Sequence, residues 1–262
     1  MFMKDLKIAT IQTALHWEDV GANLAHLEER VWQVDPDTDL VVLPEMFNSG
    51  FTMNAAAVAE PMNLTTFKWM QQLSSQTGAC LTGSYIVKEN GEFFNRLLWM
   101  RPDGSFETYD KRHLFSMAGE HQVFSPGQKR LVVTLQGWKI GPMLCYDLRF
   151  PVWSRNRLAD AWDLLLYVAN WPEARASAWQ ILLPARAIEN ACYVLGVNRI
   201  GNDDNNINYN GGSQLCDFKG QCQHNAGEED LTMHTVLSAQ HLLQYRSKFP
   251  VMQDADDFTL NV

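Results

Sequence analysis

Apolar and polar residues along this chain fall into alternating short runs of two kinds. Lys7 to Gln12, Asp39 to Leu43, Trp138 to Leu144 and Asp163 to Val168 are runs of strand length, and Asp39 to Leu43 and Asp163 to Val168 are apolar after their first residue. Strands that are apolar on both faces belong to sheets covered on both sides. Between them lie helix-like stretches at Asn23 to Val34, Phe67 to Gln76, Pro151 to Ala159, Trp179 to Asn190 and Ala239 to Lys248. Further strands are expected at Ala79 to Val87, Ala191 to Asn198 and Leu231 to Val236. Hairpins should turn at Arg101-Pro102-Asp103-Gly104 and Asp217-Phe218-Lys219-Gly220, where Gly, Pro and Asp supply the turn chemistry.

The two halves repeat this order. Lys7 matches Lys139, Asp39 matches Asp163 and Cys80 matches Cys192, with the offset shrinking along the chain as connections shorten. Two βαβ-rich halves should each build a sheet with helices on one face and the other face free to pack on its twin. The expected architecture is therefore α/β: a four-layer α-β-β-α sandwich with an internal pseudo-two-fold repeat.

Composition narrows this picture. The 262 residues are 46% hydrophobic and 19% charged, enough apolar content for one sizeable core. No low-complexity linker divides them, so a single domain over residues 1–262 is expected. Lys4, Asp5 and Lys7 interrupt any apolar signal region, and no window approaches the length of a membrane span, which points to the cytoplasm. Asn63-Leu64-Thr65 has the form of a glycosylation acceptor but has no consequence without export. A net charge of −9 without a basic stripe argues against nucleic acid and anionic membranes as partners. The five cysteines pair in no close CxxC motif and read as free thiols in a reducing compartment. Cys216, Cys222 and His224 lack a fourth ligand at a zinc-like spacing.

Three strand ends carry chemistry. Asp39 to Leu43 runs through Pro44 to the carboxylate of Glu45. Lys111 lies between apolar flanks in Tyr109-Asp110-Lys111-Arg112-His113-Leu114-Phe115. The run to Leu144 delivers the Cys145 thiol to a turn that begins Tyr146-Asp147-Leu148-Arg149. An elbow of this kind holds a nucleophile out of a sheet beside free backbone N–H groups. Separately, each residue also fits a plain role: a small buried hydrophobe, a solvated loop acid, a surface lysine. A thiol, a carboxylate and an ammonium together suit acyl transfer through a thioester.

The segments LPEMF, YDKRHLF and LCYDLRFP resemble the Glu, Lys and Cys signatures of the nitrilase (carbon–nitrogen hydrolase) superfamily, in that family's order and over nearly the whole chain. The resemblance implies the same four-layer fold and a homodimer formed through the outer helices. It also implies catalysis by Cys145 as nucleophile, Glu45 as general base and Lys111 as oxyanion partner, without metal or organic cofactor. Glu120 stands where the family often places a second glutamate that positions substrate or the lysine; a solvated loop carboxylate is the alternative. His113 and His121 are assigned no role. PEMFNSGF, KRHLF and CYDLRFPVWSRN look most like the omega-amidases, which hydrolyse the terminal amide of 2-oxoglutaramate and 2-oxosuccinamate; N-carbamoyl hydrolases and aliphatic nitrilases use the same triad.

Binding residues are read from position. The N–H of Tyr146 follows the nucleophile. Asn170 and Trp171 end the strand that matches the one leading to Glu45, so the repeat directs them to the same cleft. Arg149 suits a substrate carboxylate or an ion pair with Asp147 or another nearby acid. Phe47, Phe115, Met117 and Trp153 are candidates for the cavity wall or for the core.

Overall fold

The computed structural model describes residues 3–157 and 161–260. Its strands are β1 Leu6–Gln12, β2 Leu40–Val42, β3 Cys80–Glu89, β4 Glu92–Met100, β5 Phe106–Asp110, β6 Val133–Leu135, β7 Trp138–Leu144, β8 Leu164–Val168, β9 Tyr193–Val197, β10 Ile200–Asn202, β11 Asn208–Asn210, β12 Gln214–Cys216, β13 Cys222–Asn225 and β14 Leu231–Leu237. The α-helices are α1 Val20–Val31, α2 Ala55–Val58, α3 Thr65–Thr77, α4 Glu120–Val123, α5 Ala176–Asn190 and α6 Ala239–Lys248.

One sheet runs β14-β1-β2-β3-β4-β5 and the other β13-β12-β9-β8-β7-β6. Each is parallel through its middle three strands and antiparallel at its margins. The internal repeat extends to single hydrogen bonds. The N–H of Lys7 donates to Asp39 Oδ2 at 2.9 Å, and that of Lys139 to Asp163 Oδ2 at 2.8 Å. Asp39 and Asp163 return their own N–H groups to the carbonyls of Lys7 and Lys139. In both halves an aspartate therefore fixes the start of the second parallel strand against the first.

Alternation along the first sheet assigns its two faces. Leu6, Ile8, Leu40, Val42, Leu97 and Trp99 pack against Ile140, Met143, Leu144 and other residues of the second sheet. Ala9, Ile11, Val41 and Leu43 face the other way, against Leu24, Leu27 and Val31 of α1 and Phe67, Met70 and Leu73 of α3. Period-two side chains divided between two apolar environments are what a doubly covered strand requires. On the far side of the second sheet, Trp179, Leu183 and Ala187 of α5 and Leu242 of α6 close the outer layer. The four-layer expectation is thus met. The tail is tied to the second sheet: Arg246 of α6 donates to Asp163 Oδ1 at 2.5 Å and to the carbonyls of Trp162 and Ala191.

One expected helix is absent. Cys145–Arg149 forms a short 3-10 turn, and 151–154 continue as turns rather than as the helix read over Pro151 to Ala159; Leu158, Ala159 and Asp160 lie outside the described residues. Side chains capture this backbone instead. Asn156 Oδ1 accepts from Trp162 N at 2.7 Å, its Nδ2 donates to the Asn190 carbonyl at 2.9 Å, and Asn190 Oδ1 accepts from Asn156 N. Such local bonds compete directly with a helical ladder.

Candidate active site

The C-terminal ends of β2, β5, β7 and β8 meet beside one cavity. Glu45 lies three residues past β2 and is fully buried. Lys111 follows β5 and is also buried, with Cys145 at the end of β7. Lys111 Nζ donates to Glu45 Oε1 at 2.9 Å and to Glu120 Oε1 and Oε2 at 2.9 and 3.0 Å. Cys145 is 8% exposed and adopts φ +40°, in the left-handed region. That sharp turn ends the strand and aims the thiol off the sheet. Its Sγ lies 3.8 Å from the Asn170 carbonyl oxygen.

Glu45 is held on all sides. Oε1 also accepts from Asn95 Nδ2 at 2.9 Å, Oε2 accepts from the N–H of Asn170 at 2.8 Å, and Asn170 Nδ2 donates to the Glu45 carbonyl at 2.6 Å. Glu120 opens the single turn of α4, where its Oε2 also accepts the Phe115 N–H at 2.5 Å. It is a buried partner of Lys111, not a solvated loop acid.

The electrostatics follow from burial and from two acids sharing one base. Burial opposes the charge on Lys111, but Glu120 and Glu45 outweigh it and hold the ammonium above the ordinary lysine range. Burial raises the Glu120 carboxyl, with Lys111 pulling it down and Glu45 pushing it further up. Burial first, then the Glu45 charge, pushes the Cys145 thiol well above its ordinary value, and Lys111 offsets this only in part. Burial and the neighbouring acids therefore disfavour the thiolate.

A cavity of about 680 Å³ opens over these groups. Lys111, Cys145, Tyr146, Arg149, Asn170 and Trp171 all line it, so six of the eight sequence-derived candidates touch the cavity, and the other two, Glu45 and Glu120, bond directly to Lys111. Phe115 and Met117 form part of the wall; Phe47 and Trp153 are core residues, Phe47 packed under β3 and Trp153 donating to Tyr109 Oη at 3.0 Å. Arg149 does not pair with Asp147. That carboxylate already accepts from Leu144 N, Tyr109 Oη, His113 N and the His113 ring, tying the turn after β7 to the segment after Lys111. The Arg149 guanidinium instead lies over the Trp171 ring, 5.0 Å from its centroid.

Several residues here have no signature in the sequence. Asn95 lies mid-strand in β4, and it is the place of β4 in the sheet, between β3 and β5, that puts it beside Glu45. Trp17, Phe51 and Arg175 reach the cavity from three separate connections and Tyr209 from β11; no spacing rule links them.

Comparisons with known proteins identify the family. The carbon–nitrogen hydrolase family description matches residues 7–245, and the chain belongs to that family. It is a hydrolase of carbon–nitrogen bonds other than peptide bonds. The chain is 46% identical to omega-amidase YafV of Yersinia enterocolitica, over 98% of this chain and 100% of that one. It is 28% identical to the 2-oxoglutaramate amidase of Bacillus subtilis, over 94% and 96% of the two chains. The crystal structure of XC1258 from Xanthomonas campestris, a CN-hydrolase superfamily protein with an arsenic adduct in its active site, superimposes with a TM-score of 0.97 at 44% identity, covering 99% of this chain and 100% of that one.

Proposed function

We propose that this protein is an omega-amidase, releasing ammonia from the terminal amide of small 2-oxo dicarboxylic acid monoamides such as 2-oxoglutaramate and 2-oxosuccinamate, through a thioester on Cys145. The observation that carries the reading is the buried Glu45–Lys111–Glu120 array together with the Cys145 thiol at one cavity. The names of the relatives support the choice of substrate.

In this reading Glu45 takes the thiol proton as sulfur attacks the amide carbon. No thiolate is stored beforehand, because burial and the neighbouring acid disfavour it. The developing oxyanion is stabilised by Lys111 and the backbone N–H of Tyr146; one such donor typically contributes about 2.7–4 kcal/mol. Glu45 returns its proton to the departing nitrogen, and ammonia leaves. The same carboxylate then deprotonates water, which splits the thioester to the 2-oxo acid and restores the thiol. Glu120 positions Lys111 through its two contacts with the ammonium and holds the Phe115 loop. Asn170 orients Glu45 through its N–H, Trp171 frames the cavity and Arg149 offers its guanidinium to the substrate. The protein acts as a homodimer in the cytoplasm.

The test is ammonia release from 2-oxoglutaramate by the wild type and by Cys145→Ala. Loss of at least about 10³-fold is expected, and retained turnover would remove the thioester mechanism. Ammonia accompanied by carbon dioxide from a ureido compound, or turnover of a nitrile, would assign the chain to the N-carbamoyl hydrolases or nitrilases instead.

A further inference from the structure

Three cations line the cavity, and one of them is fully occupied. Lys111 is committed to Glu45 and Glu120. Among the described residues, Arg149 and Arg175 have no carboxylate at ion-pair distance. Both guanidiniums are laid over aromatic faces, Arg149 on Trp171 and Arg175 on Phe115, each 5.0 Å from the ring centroid. Arg175 has one further neighbour, Met117 Sδ at 3.7 Å from its Nη2.

The acids of the same cavity are already used. Glu18 accepts from Thr52 Oγ1 at 2.5 Å and Asn54 Nδ2 at 2.9 Å. Asp203 accepts from the N–H groups of Asn205 and Ile207 and from the Tyr209 hydroxyl. Nearby Glu173 accepts from Asn208 Nδ2 at 2.6 Å. In a chain of net charge −9, two guanidiniums left without acids in one cavity stand out. Stacking fixes the plane of such a group and leaves its N–H edge free for a planar anion.

We propose that Arg175 is the specificity-determining residue: its guanidinium holds the far carboxylate of an anionic amide whose reacting carbon sits at Cys145, with Arg149 as a second donor. This rests on the amidase reading above. Arg149 rides on the nucleophile's own turn, so its position is tied to Cys145. Arg175 belongs to a separate 3-10 turn, Glu173–Arg175, anchored where Trp171 Nε1 donates to the Arg175 carbonyl at 2.7 Å. One indole thus supports both cations, as a platform under Arg149 and a tether for the Arg175 backbone.

The experiment compares two amides of matched skeleton, 2-oxoglutaramate and the neutral 4-oxopentanamide, in which hydrogen-bearing carbon replaces the carboxylate. Wild-type enzyme, Arg175→Gln and Arg175→Lys are assayed with both. Removing a charge-assisted contact should raise KM for 2-oxoglutaramate by about 10- to 100-fold and collapse the preference over the neutral amide. Arg175→Lys, which keeps the charge without the planar fork, should retain part of it. A wild-type preference that survives in Arg175→Gln overturns this proposal and leaves the amidase reading standing. Equal losses on both amides in both variants make Arg175 a structural residue and overturn it too. A wild type that does not distinguish the two amides overturns the 2-oxo diacid substrate class, and this proposal with it.

Discussion

Replacing Lys111 with methionine tests whether this ammonium is the counterion on which two buried carboxylates depend. The Lys111 side chain is 1% exposed, and those of Glu45 and Glu120 are fully buried. At 2.9 Å and an effective dielectric of about 20, each contact has a gross Coulomb attraction of about 6 kcal/mol, much of it offset by desolvation. Breaking a buried pair by removing one partner has a net cost of about 3–5 kcal/mol. At roughly 2–4 °C per kcal/mol for a chain of this size, Tm should fall by about 6–20 °C.

The loss must also depend on pH. Burial already raises Glu120 above 4.5, and Lys111 is what pulls it back. Without the ammonium, the folded-state pKa rises further above the unfolded value, so the folded variant binds the extra proton more tightly. A raised carboxyl contributes stability that is present below about 4.5 and is lost as pH climbs through the folded pKa. The gap in Tm between wild type and Lys111→Met should therefore be small near pH 5 and large near pH 8, measured by thermal melts followed by circular dichroism. A gap below 2 °C, or one of equal size at both pH values, would refute the counterion argument.

Two further substitutions probe other links. Glu45→Gln should slow both formation and breakdown of the acyl-enzyme, by about 10²- to 10⁴-fold for loss of the acid–base group; rapid-quench kinetics with an undiminished burst would contradict the dual role. Gly196→Ala should destabilise the protein without touching the cavity, since a Cβ there would lie 2.4 Å from Leu183 Cδ1 and 2.6 Å from Trp179 Cζ2. Overpacking of this kind costs about 1–3 kcal/mol, and a denaturant midpoint equal to that of the wild type would show that α5 shifts freely off the sheet.

The strands were legible in the sequence because their apolar runs are bounded by charged or turn-forming residues. β7 and α6 begin and end where the pattern places them. Glu45 and Cys145 could be read because each follows an apolar run, and Lys111 because it lies between apolar flanks. The Pro151 to Ala159 stretch misled because helical spacing says nothing of Asn156 and Asn190, whose side-chain bonds draw the backbone into turns. Arg149 was ambiguous for a related reason: its sequence neighbour Asp147 is consumed by Tyr109, a residue of another sheet. Asn95 and Arg175 were invisible because their neighbours in space are supplied by sheet pairing and by distant loops.

The bond between the Asn170 amide and Glu45 Oε2 spans the two sheets, one partner following β8 and the other β2. Turnover should consequently act as a gauge of how the two slabs sit on each other. A slip of about 1 Å between reacting groups can cost 10²-fold in rate, far more than the same slip costs in cohesion. Repacking the apolar seam around Val42 and Leu166 would then silence the enzyme well before it unfolds it.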